Sequence, residues 1–334
     1  MSTPSSSSRL ISPEARILVV LALTTVILAS APWWAGRSNI RLFGEFYSFL
    51  ALAVLWNLLA GYAGLLSVGQ QAFVGLGGYT LFVVTTGLGL SPLLAVPLAA
   101  VVATIVAAVF APLLFRLNGA YFAIGTWVAA ETVSLIFGMI PELGGGAGMS
   151  LPTDVVRSIA SSRDGRESAI YWLLLAMGMG TLTVAFLVLR SKAGLALMAI
   201  RDNSLAAGSL GIDIWKTKFT VYLAAAAATG AVGAVIFLQK LRISPDSAFS
   251  VNDWTVYVIF IVVIGGIGRL EGAVVGTILF FVLREMMADY GAVYLIVLGV
   301  IAIATMIFSR QGLWGIVESR LGWSIFPITR SSGR

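Results

Sequence analysis

Residues 218–240 read KFTVYLAAAAATGAVGAVIFLQK, and no residue between Lys218 and Lys240 carries a charge. An α-helix rises 1.5 Å per residue, so about 20 apolar residues cross the hydrocarbon core of a bilayer. The stretch is therefore predicted to be a membrane-spanning helix. Ala226, Gly230 and Ala234 fall four apart within it and share one face. That spacing of small residues is how helices in lipid approach one another closely.

Outward from this stretch the chain repeats the pattern. Hydrophobic residues make up 59% of its 334 residues and charged residues 11%, where a soluble domain carries about 25% charged residues. Apolar segments lie at roughly 17–35, 43–60, 66–87, 92–115, 119–140, 170–190, 218–240, 254–268, 271–288 and 291–308. The predicted fold is an all-α polytopic membrane protein of about ten transmembrane helices over 17–310. Residues 1–16 are polar and Ser-rich, as expected of a disordered cytoplasmic tail, and 311–334 form a C-terminal tail. Ala29-Ser30-Ala31 resembles a signal-peptidase site, but Pro32 follows directly and the run is long enough to span, so an uncleaved helix is expected.

Charge sets the orientation. With the N-terminus inside, thirteen of the 21 Lys and Arg fall inside and eight outside, as the positive-inside rule requires. Both termini are then cytoplasmic. The net charge of +6 is read as this loop bias rather than as nucleic-acid binding. The longest external connection is 141–169, with Gly144-Gly145-Gly146. The longest internal one, 191–217, has Leu195, Met198, Leu205 and Leu210 set against Arg201, Asp202 and Asn203. A short amphipathic helix along the cytoplasmic face is predicted there. Five spans on either side of the external loop are compatible with an inverted five-plus-five repeat.

The chain contains no Cys and no His. Disulfides, zinc or iron–sulfur sites and Ser-His or Cys-His nucleophile pairs are thereby excluded. No GxxxxGK[ST] phosphate loop occurs. If ATP drives this protein, another chain holds it, and this chain carries no cofactor.

Three places break the lipid pattern. Gly61–Thr80, GYAGLLSVGQQAFVGLGGYT, holds six glycines and the paired amides Gln70 and Gln71. It reads either as close helix packing or as a discontinuity lining a pathway, with Ser67, Gln70, Gln71 and Tyr79 as lining groups. In Gly265–Thr277, Gly268, Gly272 and Gly276 fall four apart, which predicts a packing face on one helix. Glu131 sits near the middle of the fifth segment. A carboxylate costs about 2.5–3.5 kcal/mol there, so Glu131 is either a functional group facing the interior or a hydrogen-bonded structural one. Gln70 and Gln71 are its candidate partners.

These segments suggest a family. Asn57-Leu58-Leu59-Ala60-Gly61-Tyr62-Ala63-Gly64, with Ser67, Gly69, Ala72-Phe73 and Gly77-Gly78-Tyr79, resembles the signature of branched-chain amino-acid ABC importer permeases. Phe115-Arg116-Leu117-Asn118-Gly119-Ala120-Tyr121-Phe122-Ala123-Ile124, then Glu131 and Gly144-Gly145-Gly146, is similar to the LivM type within the LivH/LivM pair. Gly194-Leu195-Ala196-Leu197-Met198-Ala199-Ile200-Arg201-Asp202-Asn203, with Ala206-Ala207 and Leu210-Gly211-Ile212, resembles the family's ATPase-contacting loop. The resemblance covers roughly 45 to 315. The chain departs from it at Ser204-Leu205, where an acidic residue is frequent, and at Arg269-Leu270-Glu271-Gly272-Ala273.

The resemblance implies a type II ABC importer-like permease in a bacterial inner membrane. Its partners would be a LivH-like second permease, two cytoplasmic ATPases holding ATP-Mg, and a periplasmic binding protein. Arg201, Asp202, Ala206, Ala207 and Gly211 would then contact the ATPase. A urea, short-amide or aromatic-acid permease of the same superfamily, an ion-coupled secondary carrier using Glu131, and a membrane-embedded enzyme are the alternatives.

Overall fold

A computed structural model describes residues 13–160, 162–291, 293–309, 311–322 and 325–326. Most of the predicted N-terminal tail and part of the C-terminal tail lie outside these residues. The fold is all-α, joined by one two-stranded ribbon. The helices are α1 (Pro13–Ala29), α2 (Arg37–Asn57), α3 (Gln70–Phe82), α4 (Pro92–Leu114), α5 (Ala120–Gly138), α6 (Thr153–Ile159), α7 (Arg163–Arg190), α8 (Lys192–Asp202), α9 (Ser204–Ser209), α10 (Ile214–Lys240), α11 (Pro245–Ala248), α12 (Tyr257–Gly265), α13 (Leu270–Met286), α14 (Val293–Phe308) and α15 (Gly312–Leu321).

Each of the ten apolar segments contains a helix, but ten is an approximate count of spans. Among the described residues, seven helical stretches are long and apolar enough to cross a membrane, among them Pro245–Gly265, which runs through α11 and α12. An eighth would be α14 with α15, bent by 43° between them. α3 alone has 13 residues and α13 has 17. The first helix begins at Pro13, earlier than the expected 17, and residues 312–321 of the C-terminal stretch form a helix, α15, packed against α13 and α12.

α2 and α10 are buried along most of their length and form the middle of the bundle, whereas α1, α4 and α5 are largely uncovered. The small-residue stripes explain how closely the central helices pack. On α4, Ala95, Ala99, Ala103, Ala107 and Ala111 are fully buried and face α10. A methyl group added at Gly230 would lie 2.5 Å from the Cβ of Ala103, and one at Gly77 of α3 would lie 1.9 Å from the carbonyl oxygen of Gly230. Ala226 and Ala234 are buried on the same helix. Without a hydrophobic drive between helices in lipid, this backbone proximity supplies the dispersion contact that holds them together.

Gly272 and Gly276 face α12: a methyl at Gly276 would meet the carbonyl oxygen of Ile261 at 2.0 Å. Gly268 does not share their helix face as the spacing predicted. α13 begins only at Leu270, because Gly266 and Gly268 take positive φ of 129° and 77° and end helical geometry there.

Three π-helical turns interrupt the bundle, at Leu58–Tyr62, Val83–Gly87 and Asn252–Val256. Such turns mark functional sites in many helices. The bundle has two distinct ends. One carries Arg41, the 141–169 connection, Lys240 and Arg284, with Met149–Ser150 paired antiparallel to Arg242–Ile243. The other carries α8, α9 and the break at 265–269.

Candidate functional site at the junction of the bundle and its two-helix arm

The internal connection is helical, as predicted, but it forms two helices rather than one. α8 stops at Asp202 because Asn203 leaves helical geometry, at φ −157° and ψ 101°. Its Oδ1 then accepts from the N–H of Ala206 at 3.0 Å and caps α9. The apolar face also differs from the prediction. Leu197, Ile200 and Ala207 are buried, while Leu195, Leu205 and Leu210 project into the open. Ala206, Asp202 and Gly211 are exposed. α8 abuts the end of α7 so closely that a methyl at Gly194 would lie 2.2 Å from the carbonyl oxygen of Leu189. That contact fixes which face of α8 turns inward.

Arg201 is exposed like Asp202, but its guanidinium reaches back to the bundle. Its Nη1 donates to the carbonyl oxygen of Gly61 at 2.7 Å, and its Nε donates to Asp202 Oδ1 at 2.9 Å. Gly61 belongs to the π-helical turn that ends α2, where one carbonyl per turn is released from the regular ladder. The same place receives the 265–269 break. Asn57 Nδ2 donates to the carbonyl oxygen of Arg269 at 2.8 Å, and Asn57 Oδ1 accepts from the N–H of Gly268 at 2.8 Å. Asn57 is wholly buried, so both halves of its amide satisfy backbone groups that lipid could not. A methyl at Gly61 would lie 2.3 Å from Asn57 Oδ1 and 2.5 Å from the nitrogen of Gly268, so no side chain fits between the two breaks.

Arg269 extends the junction to α15: its Nε donates to Glu318 Oε2 at 2.7 Å and its Nη1 to the carbonyl oxygen of Gln311 at 3.0 Å. Glu271 is buried, and its Oε1 accepts from the N–H of Phe326 at 2.7 Å. Arg269 therefore ties the break to α15, and Glu271 holds the last described segment against α13. Sequence reasoning missed Asn57, Arg269, Glu271 and Glu318 as site residues. An amide inside the apolar run 43–60 and an Arg-Leu-Glu beside a glycine break were the available signals.

The expected pathway residues occupy the interior of this chain. Ser67 Oγ accepts from the N–H of Gly69 at 3.2 Å, and the Ser67 carbonyl accepts from Trp56 Nε1 at 2.8 Å. Gln70 Nε2 donates to the carbonyl oxygen of Leu52 at 3.1 Å. The hydroxyl of Thr255 donates to Gln71 Oε1 and accepts from the N–H of Gln71 at 3.2 Å. Tyr79 stacks on Phe249 at 5.8 Å between centroids. All four are buried. Among the described residues, Gln70 Oε1, Gln71 Nε2 and the hydroxyl of Tyr79 have no hydrogen-bond partner. Ser67 lies in an unwound stretch before α3, pinned by Thr126, whose Oγ1 accepts from the N–H of Val68 at 3.0 Å.

Glu131 is elsewhere. It is half-buried on the outward face of α5, where its Oε1 accepts from Trp127 Nε1 at 3.2 Å. Trp127, Val128 and Leu135 on that face are exposed. Gln70 and Gln71 are not its partners. Among the described residues no group of three or more potential metal ligands occurs.

Comparison with known proteins places these features in context. The family described as branched-chain amino acid transport system / permease component matches residues 38–309. The chain is 27% identical over 91% of its length to the high-affinity branched-chain amino acid transport system permease protein LivM of Salmonella typhimurium, covering 76% of that protein. It is 26% identical over 90% of its length to the protein of the same name from Escherichia coli, again covering 76%. A probable branched-chain amino acid transport permease protein LivM of Methanocaldococcus jannaschii is 25% identical over 82% of this chain and 81% of its own. No solved structure matches the chain at a significant level.

Proposed function

Because the chain belongs to the branched-chain amino acid transport system permease family, we propose that it is the transmembrane permease subunit of an ATP-driven importer for branched-chain or other apolar amino acids. The observation that carries the coupling part of this reading is the bond from Arg201 to Gly61. It joins the two-helix arm to the point where two broken helices meet, so a push on the arm moves α2 and α13 together.

In this reading the arm lies in the cytoplasm and docks on a partner ATPase, which binds ATP-Mg. The exposed Leu205, Ala206, Leu210 and Gly211 meet that partner, and the buried Ala207 lets α9 lie close to the bundle. ATP-driven closure of two such subunits shifts the arm. α8 passes the displacement to the Gly61–Gly268 contact, and the bundle alternates its access. The chain performs no bond chemistry. A second, LivH-like permease completes the membrane part, a periplasmic binding protein delivers the solute, and the assembly sits in a bacterial inner membrane with both termini in the cytoplasm.

The test is uptake of labelled leucine, urea and benzoate in cells with and without the gene, in the presence of the binding protein. Selective loss of leucine uptake is expected. Loss of urea or benzoate uptake instead reassigns the solute and keeps the machine. Uptake that persists without any ATPase and follows the proton gradient overturns the ATP-driven reading.

A further inference from the structure

At the end of the bundle opposite the arm, a cavity of about 380 Å³ opens between α2, α10, the turn before α12, and α13. Its size falls at the low end of small-molecule sites, about 300–1,000 Å³. Its charged and aromatic lining is Arg41, Glu45, Lys240, Asp253, Trp254, Tyr257 and Arg284, of which Arg41 is paired with Glu167 at 2.6 Å. Both signs of charge and an aromatic wall in one cavity are uncommon in a chain with 11% charged residues.

The charges are arranged unequally. Arg284 Nη2 and Glu45 Oε2 form an ion pair at 2.6 Å and neutralise each other. Lys240 and Asp253 lie within electrostatic reach of each other but form no ion pair among the described residues. The Lys240 ammonium lies over the Trp254 ring, 4.6 Å from its centroid, and 5.7 Å from that of Phe237. Among the described residues no carboxylate lies within ion-pairing distance of it, and no ion pair or side-chain hydrogen bond reaches the Asp253 carboxylate. An ammonium on an exposed lysine and a half-buried carboxylate therefore face one space without forming an ion pair. The Trp254 indole is itself locked, since its Nε1 donates to the carbonyl oxygen of Ser247 at 2.8 Å.

We infer that this cavity is a low-affinity binding site for a zwitterionic amino acid with an apolar side chain. It lies on the side that the charge distribution assigns to the exterior. The α-ammonium pairs with the carboxylate of Asp253, the α-carboxylate with the ammonium of Lys240, and the side chain lies against Trp254 and Tyr257. The already paired Arg284 and Glu45 close one wall without adding a net charge. A simple cation or anion satisfies only one of the two free groups and leaves the other facing it with the same sign. A zwitterion satisfies both. The inference deepens the importer reading and rests on it for the identity of the solute, but the charge logic belongs to the cavity.

The experiment uses the full chain in lipid nanodiscs and equilibrium dialysis with three probes. These are leucine, 3-methylbutylamine, which lacks the carboxylate, and 4-methylpentanoate, which lacks the ammonium. A lost charge-assisted contact weakens binding by about tenfold or more. Asp253→Asn is expected to weaken leucine and the amine by that factor and to leave the acid unchanged. Lys240→Met is expected to do the reverse, and Asp253→Glu and Lys240→Arg to restore binding. No saturable leucine binding to the wild-type chain, or leucine binding by both variants equal to that of the wild type, overturns the inference. Uptake by the assembled importer is measured in parallel. The crossed pattern of binding without any leucine uptake keeps the cavity and rejects the importer reading. Normal uptake with unchanged binding in both variants rejects the cavity alone.

Discussion

The guanidinium of Arg201, on the arm, donates to the carbonyl oxygen of Gly61, at the end of the central helix, across 140 positions of sequence. A guanidinium is always charged and offers several donors in a rigid fork. It can therefore bind a backbone carbonyl of the bundle and Asp202 of its own helix at once, as it does here. Arg201→Ala removes this tie while leaving α8 seated through Leu197 and Ile200. Uptake per ATP hydrolysed is expected to fall about tenfold, the factor that corresponds to one lost charged hydrogen bond, with the protein still at wild-type level in the membrane. Unchanged coupling in Arg201→Ala refutes the tie as a transmission element.

Gly61→Ala tests the junction itself. Its methyl would collide with Asn57 Oδ1 and the backbone of Gly268, and overpacking of this kind costs about 1–3 kcal/mol. Gly87→Ala is the control, since nothing lies within 4 Å of the added atom. Thermal unfolding in detergent is expected to drop for the first variant and not for the second. Equal midpoints would contradict the close approach of the two breaks.

The pair Gln71 and Thr255 separates packing from passage. Thr255→Val leaves a buried amide oxygen unsatisfied and is expected to destabilise the chain by about 1–3 kcal/mol, whereas replacing both partners by apolar groups is nearly neutral. The double variant Gln71→Leu/Thr255→Val should therefore be more stable than Thr255→Val. Uptake by the double variant then decides the role: retained uptake makes Gln71 a packing residue, and lost uptake in a stable protein makes its polarity part of the pathway.

Glu131 predicts a neighbour. A carboxylate on a lipid-facing helix is costly, and among the described residues only Trp127 of its own helix bonds it. A second permease is expected to cover this face of α5. The chain has no native Cys, so single cysteines at Val128 and Leu135 report the contact directly. They should cross-link to the second permease in the assembled complex, while one at Val26 of α1, also exposed, should not. Cross-linking at Val26 alone would move the interface.

The same absence of Cys gives a clean topology test. Ser158→Cys and Ser204→Cys lie on opposite ends of the bundle and are both exposed. A membrane-impermeant thiol reagent is expected to label the first in intact cells and the second only after permeabilisation. Labelling of both from one side refutes the orientation.

What the sequence determined by itself is whatever depends on spacing along one segment. Uncharged runs such as 219–239 fixed the helices, because in lipid a backbone must satisfy its own hydrogen bonds. Small residues four apart marked the close faces at Gly230 and at Gly272 and Gly276, because residues at that interval stack on one side of a helix. The polar 191–217 connection was readable as helical for the same reason. The tertiary structure decided what depends on which segments meet. No local pattern could show that Asn57 bridges to Gly268 and Arg269, some 211 positions away, that Arg201 turns inward, or that Glu131 faces away from Gln70 and Gln71. Each of these is set by helix rotation and by where the ladder breaks. The energetics of a single buried polar contact choose among such arrangements only once the helices have been brought together.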